Sequence, residues 1–241
     1  MIYIHEQVQL VPGRTADFVR IFEEVYQPLM EGVGARLVAI WETVAISLPH
    51  AQAIALWEVD DQVHYSKVAA AQYTDRKYSP RFREWRDQQA GLIVGGAGRI
   101  LSPAPSNPTL ADLKAEGVNA TVCVHEWLTT QPDKQFDYVE QIERLWVPYA
   151  RRNGRQWIGT YSTQWKNFEA ISIWALPKGF KSYGEHYTPK LSRAPSELDR
   201  QELEGWMQIA IALREKYDDG LMCALDPTPL RGRKSTRRSG Q

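Results

Sequence analysis

The chain repeats itself at an offset of 120 residues, and this internal duplication limits its fold more than any other feature. Residues 1–43 align without a gap with residues 121–163, and after a loop of different length residues 53–57 match residues 170–174. Identical pairs include His5/His125, Glu6/Glu126, Pro12/Pro132, Val19/Val139, Glu23/Glu143, Pro28/Pro148, Gly34/Gly154 and Thr43/Thr163. The sequence therefore predicts two copies of one structural module.

Each copy has the pattern strand–helix–strand–strand–helix–strand, which is the order of a ferredoxin-like unit. The strands alternate polar and apolar residues, whereas residues 16–30 and 136–151 repeat apolar side chains at helical spacing. The predicted fold class is α+β, with two tandem ferredoxin-like modules. We place module 1 at residues 1–105, a proline-rich linker at 106–120, module 2 at 121–230 and a basic disordered tail at 231–241. Within the linker, residues 110–116 have the pattern of a short helix.

The overall composition favours small neutral partners over charged ones. The chain has 29 basic and 29 acidic residues, so no net field attracts nucleic acid, and no apolar run has the length of a membrane span. Two cysteines without a secretory leader do not make a disulfide framework, and the expected location is the cytoplasm. Nine tryptophans and eleven tyrosines are a heavy aromatic load, typical of a lined cavity. Association into a homo-oligomer is left open.

Several segments of module 1 resemble a known family. They are the opening Met1-Ile2-Tyr3 with Pro12-Gly13, residues 55–58, residues 92–94 and residues 99–105. Together they are similar to a NIPSNAP domain of the dimeric α/β-barrel superfamily, and module 2 follows more loosely over 121–230. The resemblance implies that the two sheets face each other and form a pseudo-dimeric barrel with an internal cavity. Members of that superfamily range from cofactor-free oxygenases, isomerases and cyclases to haem lyases.

One position departs from the NIPSNAP pattern. Glu6 and Glu126 stand where those domains usually carry a basic residue, so a family role tied to that base does not transfer to this chain. Both carboxylates fall on the aliphatic face of their strands, where a charge needs a partner or a shifted pKa. We expect each of them to form a salt bridge to a basic residue of a helix.

Strand alternation assigns side chains either to the barrel interior or to the helices. In the first strand of each module an aliphatic face opposes a mixed polar and aromatic face, and we expect the second face, with His5 and His125, to point inward. The same reasoning applied to the second and third strands predicts an aromatic substrate pocket inside the barrel. Its predicted residues are Tyr3, Trp41, Trp57, Trp127, Trp157, Tyr161 and Trp174, with His186 reaching its mouth.

The first functional hypothesis is a cofactor-independent enzyme acting on a small hydrophobic or aromatic molecule. His125 and His5 are its candidate catalytic residues, because imidazole titrates near neutral pH, and the more aromatic His125 side is expected to hold the ligand. The alternatives are a non-catalytic binding or scaffold protein and a haem-binding, lyase-like barrel.

The sequence predicts neither a metal nor a cofactor. Adjacent His and Glu residues on a strand point to opposite faces and cannot chelate one ion together. The chain also lacks a glycine-rich phosphate loop, a CxxC pair and a serine nucleophile elbow.

The basic tail generates the first testable prediction. Deleting residues 231–241 should leave the melting temperature unchanged, because this segment has five basic residues, no acidic residue and few apolar groups to bury. Differential scanning calorimetry of the full and shortened chains measures the effect. A large loss of thermal stability would show that the tail packs on the fold.

Overall fold

The computed structural model describes residues 1–44, 52–166, 168–187 and 197–231, with the backbone alone for residues 185–187. Both modules have the same order of elements. Module 1 contains β1 (Ile2–Leu10), α1 (Thr15–Ile21), a π-helical segment (Phe22–Tyr26), α2 (Gln27–Gly32), β2 (Arg36–Thr43), β3 (Gln52–Val59), α3 (Gln62–Tyr73), α4 (Ser79–Gln89) and β4 (Ile93–Pro103). The linker contains α5 (Leu110–Ala115). Module 2 contains β5 (Val122–Thr130), α6 (Gln135–Gln141), a π-helical segment (Ile142–Trp146), α7 (Val147–Arg152), β6 (Gln156–Thr163), β7 (Glu169–Ala175), α8 (Phe180–Tyr187), α9 (Glu197–Leu213) and β8 (Arg214–Ala224).

The eight strands close into one antiparallel barrel in the order β1-β3-β2-β8-β5-β7-β6-β4. Two short ladders join the modules. Strand β2 pairs with β8 from Trp41 to Thr43, and β4 pairs with β6 from Leu101 to Pro103. The predicted α+β fold, with two ferredoxin-like modules forming a pseudo-dimeric barrel within one chain, is confirmed.

The first helix of each module contains a π-helical segment at the equivalent place. Pro28 and Pro148 each follow that segment at the second position of the next helix. A proline has no N–H to donate to the preceding turn, so the repeated prolines account for the local break in α-helical bonding.

Side chains fill the barrel interior. An eight-stranded barrel encloses a space that its own inward side chains just occupy. The buried interior cluster includes Tyr3, Val38, Trp41, Ile54, Leu56, Leu101, Cys123, Ile158, Tyr161, Ile171, Ile173 and Met222. The predicted aromatic pocket inside the barrel is therefore replaced by a packed core.

The linker helix contributes to this core. Thr109 and Asp112 form a capping box at its start, and Leu110 and Leu113 join the interior cluster. The carboxylate of Glu58 accepts a hydrogen bond from the Leu110 amide at 2.8 Å. The short helix predicted in the linker is confirmed, and it packs against the barrel.

The tryptophans of the third strand of each module lie on the opposite face of the sheet from the one predicted. Trp57 pairs with Ile4 and Trp174 pairs with Val124, and both partners face the helices. Directly paired residues of neighbouring strands share a face of the sheet. The expectation that Trp57 and Trp174 point into the barrel is therefore wrong.

Trp157 also lies outside the barrel, although Tyr161 on the same strand points inward. The register between β6 and β7 shifts between Trp157 and Gly159. An extra residue at such a bulge reverses the alternation of side chains before it relative to those after it. The inward prediction for Trp157 is wrong for this reason.

A buried ion pair connects the modules between β4 and β7, the two strands that flank β6 in the barrel. The guanidinium of Arg99 on β4 donates to the carboxylate of Glu169 on β7 at 2.7 Å and lies 4.4 Å from the ring centre of Trp127. The Trp127 indole donates to the same carboxylate at 2.8 Å. Burial by itself raises the pKa of Glu169, but the hydrogen bond and charge of Arg99 lower it overall.

In the described ranges, no helix has the length and hydropathy needed to cross a bilayer. Residues 232–241, which form nearly all of the predicted tail, lie outside the described residues. Arg231 itself donates to the carboxylate of Asp226 and to the Ala224 carbonyl.

Loss of the buried cation should destabilise the fold. Arg99→Gln should lower the free energy of unfolding by about 3–5 kcal/mol, because the buried Glu169 carboxylate loses its closest cation. Urea denaturation measures the change. Arg14→Gln breaks the exposed pair between Arg14 and Asp17 and should have a much smaller effect. Equal effects of the two variants would contradict this account.

Candidate functional site

A cavity of about 170 Å³ lies between the sheet of module 1 and its helices, outside the barrel. Its floor comes from β1, β2 and β3, and its walls come from the helices. The apolar floor residues are Val8, Ile40, Ala53 and Ala55, and the aromatic wall residues are Phe18, Phe22, Tyr26, Phe82 and Trp85. One carboxyl group, that of Glu6, lies among them.

Glu6 reaches this cavity because it occupies the outward face of β1, as strand alternation predicts. Its carboxyl group accepts hydrogen bonds from the Tyr26 hydroxyl and from the Trp57 indole, the latter at 2.8 Å. No basic side chain of the described residues forms an ion pair with it, so the predicted salt bridge of Glu6 is wrong. Removal from water raises the pKa of Glu6, and the two hydrogen bonds partly oppose that rise.

The π-helical segment positions the aromatic residues around Glu6. Phe22 and Tyr26 occupy its two ends, and both lie against Trp57, with ring centres 5.7 and 5.8 Å away. Trp85 of α4 stacks on Tyr26 at 4.7 Å. Burial raises the pKa of Tyr26 well above its ordinary value, and the nearby Glu6 raises it further. Tyr26 therefore remains a neutral hydrogen-bond donor to Glu6.

The equivalent carboxyl group of module 2 has a different environment. Glu126 is buried, lies 3.9 Å from the guanidinium of Arg155 and accepts a hydrogen bond from Trp174 at 2.9 Å. The repeat places Ala35 at the position of Arg155 in module 1. Burial raises the pKa of Glu126, whereas Arg155 and hydrogen bonds from Trp174 and Tyr217 oppose the rise. The predicted salt bridge of Glu126 exists, although Arg155 lies in the turn before β6 and not in a helix.

The two candidate catalytic histidines meet inside the barrel. His5 and His125 are buried, and their Nε2 atoms lie 3.1 Å apart, so one Nε2–H donates to the other nitrogen. Burial lowers the pKa of His125 to about 4 and lowers that of His5 well below its ordinary value. Both rings are neutral in the folded protein. The inward orientation of both residues is confirmed, and their catalytic role stays a prediction.

The remaining predicted pocket residues divide between the two faces of the sheet. Tyr3, Trp41, Trp127 and Tyr161 point inward and contribute to the packed core. The Trp41 indole donates to the Ala120 carbonyl at 3.0 Å, which is a structural contact. The backbone of His186 belongs to α8, and its side chain lies outside the described part of the structure. Of these predicted residues, Trp57 is the one that contacts Glu6.

The sequence reasoning missed Glu6 as a site residue and missed the helix aromatics around it. A signal was present, because the repeat aligns Arg155 with Ala35 and so leaves one of two equivalent glutamates without its base. Tyr26 and Trp85 carried no comparable signal, since their approach to Glu6 depends on how the helices pack.

The lining residues and the volume of the cavity can be compared with the requirements of haem. An axial ligand to haem iron is usually an imidazole or a thiolate. The residues lining the Glu6 cavity include neither histidine nor cysteine, and 170 Å³ is smaller than a tetrapyrrole. Within the described ranges, no cluster of three or more His, Cys, Asp or Glu residues could hold a metal ion. The cavity does not fit haem.

Comparisons with known proteins identify the fold. No protein-family model matches the sequence, and no curated protein matches it. A "putative monooxygenase" from Lactobacillus acidophilus matches with a TM-score of 0.60 and 9% identity, covering 92% of this chain and 93% of that one. A "putative chlorite dismutase" matches with a TM-score of 0.52 and 13% identity, covering 95% and 96%.

A NIPSNAP domain protein from Burkholderia xenovorans matches 45% of this chain over 100% of its own, with 17% identity and a TM-score of 0.39. NIPSNAP proteins are thus among the structural neighbours, as the sequence resemblance predicts. This chain has the dimeric α/β-barrel fold. That assignment rests on the two matches that cover nearly the whole chain, and at these identities they establish the fold alone.

The buried histidine pair generates a prediction about pH. Histidines in the unfolded chain titrate at about pH 6.5, so below that value the unfolded state binds more protons than the folded state. Stability should therefore be fully present above pH 6.5 and should fall as the pH drops towards the lowered folded pKa values. Each histidine contributes a slope of about 1.4 kcal/mol per pH unit in that window.

Urea denaturation between pH 5 and 8 measures this dependence. His125→Leu should reduce the slope of the free energy of unfolding against pH by the contribution of about one histidine. Glu6 and Glu126 are present in both proteins, so their contributions cancel when the two slopes are subtracted. An unchanged slope in the variant would show that His125 binds protons equally in the folded and unfolded states.

Proposed function

We propose that module 1 binds a small, apolar, ring-sized molecule in the Glu6 cavity and that Glu6 transfers a proton to or from it. The observation that carries this proposal is a carboxyl group of raised pKa, without a paired base among the described residues, on the floor of an aromatic cavity. Perturbed carboxyl groups in clefts are candidates for acid–base chemistry.

The dimensions and walls of the cavity set the class of ligand. A protein cavity of about 150 Å³ is known to hold benzene, so 170 Å³ suits a single ring. Edge and face contacts with aromatic walls contribute about 0.5–1.5 kcal/mol per well-placed pair. Apart from Glu6, Arg86 is the only charged residue among the described residues that line this cavity. A neutral, largely apolar molecule therefore fits the cavity.

A single carboxyl group can perform both halves of a proton transfer. In its ionised form Glu6 accepts a proton from a carbon next to a carbonyl group, and in its protonated form it returns the proton to a different atom. The Tyr26 hydroxyl and the Trp57 indole hold the carboxyl group in place and stabilise its negative charge. General acid–base catalysis of this kind contributes about 10²–10⁴ in rate.

This chemistry uses the protein's own residues and suits a cofactor-independent isomerase, cyclase or oxygenase. The name of the Lactobacillus neighbour, "putative monooxygenase", is compatible with that class. The proton-transfer role moves from His125 and His5 to Glu6, because the histidines contact each other in a packed core and do not line this cavity.

A non-catalytic binding protein is the second candidate. The observation in its favour is that Tyr26 and Trp57 already engage both carboxyl oxygens of Glu6, as they would in a structural site. In that case Glu6 stabilises the aromatic walls without exchanging protons with a ligand. Proton exchange distinguishes the two candidates.

Phenylacetone is a suitable probe, because it joins one ring to a carbonyl group with acidic neighbouring C–H bonds. Wild-type protein should accelerate exchange of these protons for deuterium, measured by proton NMR in D₂O. Glu6→Gln should lower the enzyme-dependent rate by about 10²-fold or more, because an amide cannot accept the proton.

Two controls accompany this experiment. Glu24→Gln removes an exposed carboxylate from the π-helical segment that carries Tyr26, and Glu126→Gln removes the carboxylate of module 2 that is equivalent to Glu6. Both should retain the wild-type exchange rate per folded molecule. Binding of phenylacetone without accelerated exchange would favour the non-catalytic protein, and absence of binding would remove both candidates.

A further inference from the structure

A groove of about 760 Å³ runs along β4 of module 1, beside the Glu6 cavity, and residues 163–166 of module 2 also line it. Five residues line both spaces, namely Glu6, Val8, Gln72, Tyr73 and Gln89. The cavity and the groove therefore adjoin at these five residues, and Glu6 lines both of them.

The floor of the groove is almost bare backbone. Residues 95–98 of β4 are Gly-Gly-Ala-Gly, and all four line the groove. Gly98 pairs directly with Glu6, so a side chain there would lie beside the carboxyl group on the same face. A β-carbon added at Gly98 would meet no atom within 4 Å. Glycine at this position leaves the passage from Glu6 to the groove open.

In module 2, the positions on β8 that are equivalent to these glycines of β4 carry side chains. Asp219 pairs with Glu126 as Gly98 pairs with Glu6, and Tyr217 pairs with Leu128 as Gly96 pairs with Val8. The Tyr217 hydroxyl bonds to Glu126. Module 2 therefore has side chains beside its carboxyl group where module 1 has glycines, and Glu126 lines a separate cavity of about 240 Å³ together with Tyr217 and Asp219.

The groove also has a strand edge available for hydrogen bonding. Strand β4 pairs with β6 only from Leu101 to Pro103, so residues 93–99 have a strand partner on the β1 side alone within the described ranges. On the matching edge of β8 stand Lys216, Tyr217 and Asp218, the kind of side chains that protect an edge. The β4 edge has no such protection, and its backbone N–H and C=O groups can bind an extended polar chain.

The side chains around the groove suit the same occupant. Neutral polar groups predominate over charges, with Gln7, Gln72, Gln89, Gln164 and Thr163 among the lining residues. Arg99 and Lys166 also line it, and both lie within 4 Å of Glu169. These side chains can form hydrogen bonds with the neutral amide or hydroxyl groups of an extended ligand.

We propose that the ligand of module 1 has two parts, a ring-sized head in the Glu6 cavity and an extended chain of amide or hydroxyl groups in the groove along residues 95–98. This inference rests on the proposed function and adds the substrate class. Gly98 is the residue that decides whether a molecule longer than a single ring can bind.

Two probes separate the parts of the site. Phenylacetamide has the ring and one amide, and phenylacetyl-glycylglycinamide has the same ring with an extended amide chain. Isothermal titration calorimetry with the wild-type full chain should show about tenfold or tighter binding of the longer probe. Gly98→Leu should abolish this gain and change the affinity for phenylacetamide by less than about twofold.

Two further variants support the measurement. Gly98→Asp introduces the residue that module 2 carries and should also abolish the gain. Gly205→Leu, at a glycine of α9 where a β-carbon likewise meets no atom within 4 Å, should retain it. Thermal melting checks that each variant is folded.

The outcomes are distinct. If phenylacetamide binds and the longer probe binds no better, the groove is not a subsite, whereas the proposed function still stands. If the gain survives in both Gly98 variants, the chain runs elsewhere and the inference is overturned. If neither probe binds the wild-type protein, the proposed function and this inference both fail.

Discussion

The limited space inside an eight-stranded barrel determines where this protein can hold a ligand. Inward side chains of both modules occupy that space, and the His5–His125 contact lies within it. What remains for a small molecule is the layer between the outer face of the sheet and the helices, where aromatic rings pack less closely around a carboxyl group. The barrel supports the candidate site but does not contain it.

The repeat gives each module one carboxyl group in this layer, and the two carboxyl groups have different surroundings. In module 2, Arg155 and Tyr217 bind Glu126, which becomes part of the structure. In module 1, Ala35 and Gly96 stand at the positions of Arg155 and Tyr217, and Glu6 has a raised pKa beside the cavity and the groove. A buried carboxyl group without a cation lowers stability unless it is protonated or well solvated. Retention of this arrangement in one module is more readily understood as a requirement of function than of folding.

Particular residues show how far sequence reasoning reached. The alternation in β1 and β5 correctly predicted that His5 and His125 point inward and that Glu6 and Glu126 point outward. The same rule failed for Trp57 and Trp174, because a strand of alternating alanine and large residues has two apolar faces and does not reveal which one is inside. It failed for Trp157 because a bulge in β6 reverses the alternation of side chains between the two faces of the sheet. A bulge leaves no clear mark in a single sequence.

The sequence by itself determined the α+β class and the internal repeat, because strand and helix periodicities are local and the two copies align residue by residue. The barrel within one chain was what the NIPSNAP resemblance implied, and the strand pairing of the tertiary structure shows it. It also contained the difference between Arg155 and Ala35. Only the tertiary structure decided that the cavity lies outside the barrel, that Tyr26 and Trp57 bind Glu6, and that Gly98 opens a groove beside it. These features depend on the pairing register of strands and on the packing of helices from distant parts of the chain, and local periodicity carries no information about either.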